Sequence, residues 1–406
     1  MSVNMAPNAA RVREAESASV GADRMADALA RAFALWRNRD YARRHDAFAA
    51  IARAAGYSVA MLDHSIDALL KPFTSEALKS MAARVSSNGR IDRPKTVGFI
   101  AAGNVAGAGI HEIAIALIAG AKVTIKTASA EPIFFAEFAR TLAEIDPDAG
   151  ARIEVLHWSR SRTDLTASLI ARCERVVAYG DDATIESLRN HANVIGFGSR
   201  VSAAVVAPSA NGAPQIKGLA ALLARDVTLF EQLGCLSLHH VLVVGSDSRA
   251  ARDLAHRISM TLEQMTKTMP PAAIPLRDAV EIRGVRERAR WRAIAREPVE
   301  LFEGSGMRWT VVFERGPAPF KVSPGFRTLH VTAVRDVREF RDCIAGVSGR
   351  IEAMAIAADE SAAVEIRKNI DPMAIPYICA PGEMQSPPLD WRHGGGGFLD
   401  LMVGSR

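Results

Sequence analysis

The sequence predicts an α/β fold: a parallel sheet covered by helices on both faces, a second α/β domain, and a helical N-terminal segment. Three observations carry this. Short apolar runs alternate with helix-length stretches from residue 96 to 207. The first run leads into a turn of small residues, Gly103-Asn104-Val105-Ala106-Gly107-Ala108-Gly109. Further apolar runs then recur, beyond a Gly/Pro stretch at 208–216. Strand–helix alternation with short connections makes a parallel sheet, because each crossover must lay a helix on a sheet face.

Taken in order, residues 1–22 are polar and rich in Ala, Ser and Asn, and read as a loose leader. Residues 23–87 read as helical, with Met25, Leu29, Phe33 and Trp36 making one apolar face. A polar turn at 86–89 closes this part. Strands are expected at 96–101, 122–126, 153–158, 175–179 and 201–207, with helices at 110–119, 131–145, 165–173 and 182–191 between them. After the break come a helix at 219–233, interrupted by Gly234-Cys235-Leu236-Ser237, and a strand at 241–245. Two long helices at 249–267 and 277–296 are split by Met269-Pro270-Pro271. Strands recur at 310–313, 328–334 and 353–357, and the tail after Tyr377 is rich in Pro and Gly.

Composition sets the class. The chain has 406 residues, 50 Lys+Arg against 45 Asp+Glu, and a net charge of +5. Apolar residues make up 49% and charged residues 23%, a globular balance that excludes a disordered or collagenous chain. The charge surplus is too small for its length to argue for nucleic acid. No apolar run reaches the roughly 18 residues of a membrane span, and the N-terminus lacks a secretory pattern. Cys173, Cys235, Cys343 and Cys379 are scattered, with no Cys or His cluster at metal-ligand spacing. The expectation is therefore a cytoplasmic chain with reduced thiols and no metal, in which a cysteine that matters acts as a nucleophile.

The candidate site residues each have a functional and a plain reading. The 103–109 turn, with Gly103, can cradle a phosphate at a helix N-terminus or simply pack tightly. Asn104 can donate an amide hydrogen bond to a developing oxyanion. Lys126, followed by Thr127, ends a parallel strand, where ligands collect; it can meet a ribose or phosphate, or lie on the surface. Gly180 is a second phosphate or ribose contact, or a strand-exit glycine. Cys235 is flanked by Gly234 in a break between helix and strand; it is a nucleophile or a small buried hydrophobe. His239 and His240, four and five positions on, offer a base for the thiol or, as the start of a strand, read as structural. The arginines between 283 and 296 read as a solvated face, with a dock for phosphates of a large anionic substrate as the alternative.

In this order, Asn104, Lys126, Gly180, the Gly-rich segment 196–199 and Cys235 together resemble the aldehyde dehydrogenase superfamily. More narrowly, E-Q-L-G-C-L-S around Cys235 and P-G-E-M-Q-S-P-P-L-D-W from Pro381 to Trp391 resemble the acyl-CoA reductases of the bacterial luminescence type. The resemblance runs over 96–393. It implies an aldehyde dehydrogenase-like fold, with a Rossmann-type cofactor domain at 23–216, a catalytic domain at 217–375, and a return to the cofactor domain at 376–406. The active site would lie in a cleft between the two domains. It implies Cys235 as acyl-accepting nucleophile, Asn104 and the Cys235 backbone N–H as oxyanion hole, and Lys126, Thr127, Gly103 and Gly180 around the cofactor. The implied cofactor is NADPH rather than NADH, and the implied substrate is an acyl-CoA or acyl-protein thioester. A homo-oligomer or an acyl-transferase or synthetase partner is compatible with it.

One departure bears on the reaction. Hydrolytic aldehyde dehydrogenases carry a water-activating glutamate in an E-L-G-G-K segment, and Gly196 stands at that position here. Its absence favours reduction of a thioester to aldehyde over oxidation of aldehyde to acid. Acid-forming aldehyde oxidation, and a non-catalytic nucleotide-binding relative, are the alternatives. The glutamate of an E-x-F-G-P segment has only a loose match in Glu314-Arg315-Gly316-Pro317 and stays unassigned.

Overall fold

The computed structural model describes residues 6–87, 93–207, 216–245, 248–371 and 374–403. The expected polar turn at 86–89 and Gly/Pro stretch at 208–216 fall largely outside these residues. Among the described residues the chain forms two units. One comprises the chain up to Ala55, Leu69–Gly198 and the segment from Pro388; the other comprises Gly56–Ala68 and Ser199–Pro387.

The first four helices are α1 (Ala6–Arg37), α2 (Ala42–Ala55), α3 (Val59–Leu70) and α4 (Ser75–Ser87). The leader expected at 1–22 is thus helical from Ala6, because its alanines carry the highest helix propensity. The expected apolar face is real: Met25, Leu29, Phe33 and Trp36 are all buried. Trp36 meets Phe134 edge-on at 5.0 Å and donates Nε1–H to Thr141 Oγ1 at 3.1 Å. Its indole N–H, costly to bury alone, is thereby satisfied.

The first unit's sheet has strands β1 (Thr96–Ile100), β2 (Lys122–Thr127), β3 (Ile153–His157), β4 (Arg175–Tyr179) and β5 (Val194–Phe197). Their order is β3-β2-β1-β4-β5, with every pair parallel. The connecting helices are α5 (Ile110–Ile118), α6 (Phe134–Ile145), the single turn α7 (Pro147–Gly150), α8 (Thr163–Arg172) and α9 (Asp182–Leu188). The chain reverses its direction of travel across the sheet between β1 and β4. In such sheets ligands bind outside the carboxyl ends of the strands at that reversal.

The second unit holds β6 (Val201–Val206), helix α10 (Ile216–Thr228), β7 (Leu238–Val244), α11 (Ser248–Thr268), α12 (Leu276–Ile294), β8 (Val299–Glu303), β9 (Thr310–Arg315), β10 (Thr328–Val334), α13 (Val337–Ile344), β11 (Ile351–Ala357), α14 (Glu360–Ile370) and β12 (Tyr377–Cys379). Its seven-stranded sheet runs β12-β11-β6-β7-β10-β9-β8, with only β8–β9 antiparallel. Every residue of β6, β7 and β10 is buried, as a doubly covered parallel sheet requires.

Three boundaries differ from expectation. Strand β6 pairs with β7 and β11, so the change of unit falls at 198/199 rather than near 216. The return to the first unit starts at Pro388 rather than 376, because β12 extends the seven-stranded sheet. Residues 56–68 join the second unit, where Ser65 Oγ accepts the Phe230 N–H at 3.0 Å. The chain then ends in α15 (Phe398–Val403).

Candidate active site

Cys235 lies in a turn that is fixed from several sides. Helix α10 gives way to a 3-10 turn, Leu229–Gln232. There Phe230, Glu231 and Gln232 take positive φ values of 52°, 52° and 63°. Left-handed geometry costs an L-residue about 1–2 kcal/mol, so three in a row persist only where the surroundings impose them. Gln232 supplies much of that hold. Its Nε2 donates to the carbonyls of Leu238 and Thr328, and its Oε1 accepts from Thr328 N–H at 2.8 Å and Ser323 Oγ at 3.2 Å. Glu231 and Arg327, both fully buried, form a two-pronged ion pair at 3.0 and 2.8 Å. The Glu231 carbonyl accepts the Phe326 N–H at 2.8 Å.

Around the cysteine itself, Ser237 N–H donates to the Gly234 carbonyl at 3.0 Å and Gly234 N–H donates to Ser237 Oγ at 3.2 Å. Ser202 on β6 donates its hydroxyl to the Cys235 carbonyl at 2.7 Å. The side chain of Cys235 is half-buried. The backbone on both sides of the thiol is therefore immobilised, as a nucleophile that must be presented in one pose requires.

The C-terminal phrase from Pro381 is built onto this turn. Gly382, at φ 85°, and Met384 donate their N–H groups to the buried Asp226 carboxylate at 2.6 and 3.3 Å. Burial pushes the Asp226 carboxyl up to about 7, against the pull of those donors. Gln385 Nε2 donates to Ser237 Oγ at 3.3 Å, and Ser386 Oγ donates to the Ala68 carbonyl at 2.9 Å.

The other three cysteines pack. Cys173 and Cys343 sit in apolar clusters, and burial pushes both thiols up. Cys379 is raised by burial and by the nearby Asp226. The structural reading of the two histidines holds. His239 Nδ1 accepts Ser323 N–H at 3.0 Å, and burial pushes the ring down to about 4. His240 Nδ1 accepts Lys321 N–H at 3.1 Å, its Nε2 meets Thr332 Oγ1 at 2.8 Å, and burial holds it well below the usual range.

In the first unit, Gly103 and Gly180 follow β1 and β4, and Lys126 is the penultimate residue of β2, all at the carboxyl edge of the sheet. A Cβ at Gly103 would meet Ala128 Cβ at 2.9 Å, so close packing of the turn explains this glycine. A Cβ at Gly180 would meet Thr184 Cβ at 2.9 Å. Asp181 caps α9 by accepting Thr184 N–H at 2.7 Å. Lys126 is 7% exposed and, among the described residues, its ammonium makes no hydrogen bond or ion pair; burial lowers its ammonium pKa. A buried, uncommitted ammonium at a strand end fits an anionic or hydroxyl-bearing ligand. Thr127 Oγ1 is engaged within the sheet, with the Leu156 carbonyl at 3.3 Å and His157 Nδ1 at 3.1 Å. Asn104 is exposed in the same unit as Lys126; Cys235 belongs to the other unit.

At Gly196 on β5, an added Cβ would lie 2.5 Å from Ile185 Cγ2. A carboxylate side chain has no room there unless Ile185 moves.

Sequence reasoning missed one further assembly. Trp391, His393 and Phe197 stack at 4.3 and 4.2 Å, and Tyr179 stacks on Phe197 at 5.4 Å. His393 Nδ1 lies 3.0 Å from Glu112 Oε1 on α5. Burial alone would raise the Glu112 carboxyl, but the His393 contact keeps it below its usual value. The glycine run after His393 was the available signal: a Cβ at Gly394, φ 65°, would meet Phe197 at 2.9 Å.

Solved structures with the same fold include an aldehyde dehydrogenase from Physcomitrella patens, 13% identical, with a TM-score of 0.68 over 97% of this chain and 87% of that one. Another is the succinic semialdehyde dehydrogenase of Streptococcus pyogenes, 12% identical, with a TM-score of 0.67 over 99% and 94%. The fold is that of the aldehyde dehydrogenases. Curated relatives include a long-chain acyl-protein thioester reductase of Photobacterium leiognathi, 27% identical over 38% of this chain and 33% of that protein. A second, from Photorhabdus laumondii, is 24% identical over 52% of this chain and 48% of its own length. The matched region spans half or less of these two relatives. The family described as acyl-CoA reductase (LuxC) matches residues 18–404, and the chain belongs to it.

Proposed function

We propose that this chain reduces an acyl thioester, acyl-CoA or acyl-protein, to the aldehyde through an acyl group held on Cys235, with NADPH as reductant. The observation that carries the reading is the cysteine turn, its backbone locked by Gln232, Ser237 and Ser202. The thiolate attacks the thioester carbonyl, forming a new C–S bond. In this reading the Asn104 side-chain amide and the Cys235 backbone N–H donate to the tetrahedral oxyanion and stabilise it. The tetrahedral intermediate then collapses by breaking the donor's own C–S bond, so the donor's thiolate leaves and the acyl group stays on Cys235.

Lys126 and the carboxyl edge of the five-stranded sheet offer the cofactor an ammonium and a close backbone approach. When bound there, NADPH supplies the hydride that reduces the acyl carbon. Cys235 then departs as thiolate from the resulting hemithioacetal and frees the aldehyde, a step that needs no strong acid because thiolate is a good leaving group. The closed space beside Gly196 suits this outcome: no carboxylate stands there to activate water against the thioester. The scattered thiols suit a cytoplasmic protein. A homo-oligomer or an acyl-transferring partner remains part of the proposal.

The test is product analysis. The chain is incubated with acyl-CoAs of graded length and NADPH, and products are trapped as hydrazones. Aldehyde formed in step with NADPH oxidation supports the reading. Acid formed from aldehyde with NAD(P)+ and no need for CoA overturns it.

A further inference from the structure

The second unit contains a cavity of about 520 Å³ that the proposed chemistry does not use. It lies between α12, the β9–β10 part of the sheet and the loop 317–322. Its walls are apolar at Val285, Ala289, Val312, Pro317 and Phe320. Three cations line it, Arg288, Arg292 and Lys321, against one carboxylate, Glu314.

These cations are not equivalent. Arg292 is spent on Glu314 at 2.8 Å and Glu297 at 2.6 Å. The side chains of Arg288 and Lys321 make no hydrogen bond or ion pair among the described residues. His330, on β10, also lines the cavity. It is 7% exposed, and its Nδ1 is closed off from solvent without a hydrogen-bond partner. The rest of the arginine helix contrasts with this. Arg286 is buried against Thr310 Oγ1 and the Trp309 carbonyl, and Arg290 pairs with Glu287 and Glu303. Half of the six arginines from 283 to 296 are thus held in ion pairs, while Arg283, Arg288 and Arg296 stay exposed, and of these Arg288 lines the cavity together with Lys321.

We infer that the cavity is a phosphate subsite for the phosphorylated part of the acyl donor, with Arg288 and Lys321 meeting the phosphate and the apolar wall meeting the organic part next to it. This rests on the thioester-reductase reading. Two free cations match the dianion of a phosphomonoester better than the single charge of a carboxylate. A buried imidazole without a partner supplies a hydrogen bond that otherwise goes unmade. The loop lining the cavity also holds the cysteine turn: Lys321 N–H donates to His240, and Ser323 bonds His239 and Gln232. Donor recognition and nucleophile placement thus share one segment.

The experiment is calorimetric titration of the full chain carrying Cys235→Ala, so that binding is read without turnover. The probes are coenzyme A, pantetheine, which lacks every phosphate, and inorganic phosphate. Coenzyme A should bind and pantetheine should not. Replacing both cations (Arg288→Ala with Lys321→Ala) should raise the coenzyme A Kd at least tenfold, about 1.4 kcal/mol. The conservative pair Arg288→Lys with Lys321→Arg should recover most of it. An unchanged Kd in the alanine pair overturns the inference, as does pantetheine binding as tightly as coenzyme A. Inorganic phosphate binding as tightly as coenzyme A overturns the assignment to the acyl donor. Because binding is read apart from turnover, loss of binding in the alanine pair supports the subsite even if no aldehyde forms, a result that would count against the reductase reading alone.

Discussion

Gln385 Nε2 donates to Ser237 Oγ at 3.3 Å, across 148 positions of sequence. Through Ser237, whose N–H and hydroxyl close the turn on Gly234, the C-terminal phrase reaches the backbone that presents Cys235. Gln385 is a positioning residue in this arrangement. Gln385→Ala should slow acylation of Cys235 about tenfold, the value of one hydrogen bond near the reacting group. The melting temperature should stay within a few degrees. Single-turnover labelling with radioactive acyl-CoA checks the rate, and Gln385→Glu, which keeps an acceptor but loses the donor, should behave like alanine.

The Glu231–Arg327 pair underlies the same turn, and both side chains are fully buried. Arg327→Met strands a carboxylate in the interior and should cost about 3–5 kcal/mol. Glu231→Leu with Arg327→Met should recover much of that loss, since neither charge is then left alone. Urea unfolding of the two variants checks both values.

Asp226 gives the fold a pH dependence with a definite sign. Its carboxyl sits at about 7 in the folded chain, above the roughly 3.9 of an unfolded aspartate. Between those values the folded state binds more protons than the unfolded one. Its contribution to stability is therefore full below about pH 4 and is lost as pH rises through 7. Asp226→Asn removes this titration. The wild type should lose more stability than the variant between pH 5 and 8, by up to roughly 1.4 kcal/mol per unit up to pH 7. Urea midpoints across that range check it.

Gly196 should tolerate no side chain. Gly196→Ala places a Cβ about 2.5 Å from Ile185 Cγ2 and should cost about 1–3 kcal/mol. Adding Ile185→Ala opens the space and should restore part of the stability, measured by thermal unfolding.

Much of this was legible in the chain, and the misses have physical causes. The strand–helix alternation located β1 and β4 because nearly every residue of each is buried, and β2 and β3 because short apolar runs sit between helix-length stretches, although neither is fully buried. The same property hid their partners: β6 is as apolar as its neighbours, and nothing in Val201–Val206 says which sheet it joins. Cys235 stood out by its glycine and its place in a helix break. Asp226, Gln232 and Ser237 did not, because their roles depend on the backbone N–H groups of 382 and 328 and the side-chain amide of 385, far away in sequence. The phrase from Pro381 to Trp391 was distinctive as text. Its meaning emerged only when Asp226, Ser237 and His393 were found against it.

Lys126 bears on the cofactor. A buried ammonium without a polar partner in the described chain should contribute to dinucleotide binding, so Lys126→Ala should raise the KM for NADPH about tenfold or more. The rate of Cys235 acylation in the absence of cofactor should be unchanged.

Cys235 is the residue on which the proposed reaction turns. The most direct measurement is incubation of the wild type and Cys235→Ala with radiolabelled acyl-CoA, with and without NADPH. The wild type should acquire a hydroxylamine-sensitive acyl group and discharge it as aldehyde when NADPH is added, and the variant should do neither. Covalent acylation and NADPH-dependent aldehyde formation retained in Cys235→Ala would contradict it.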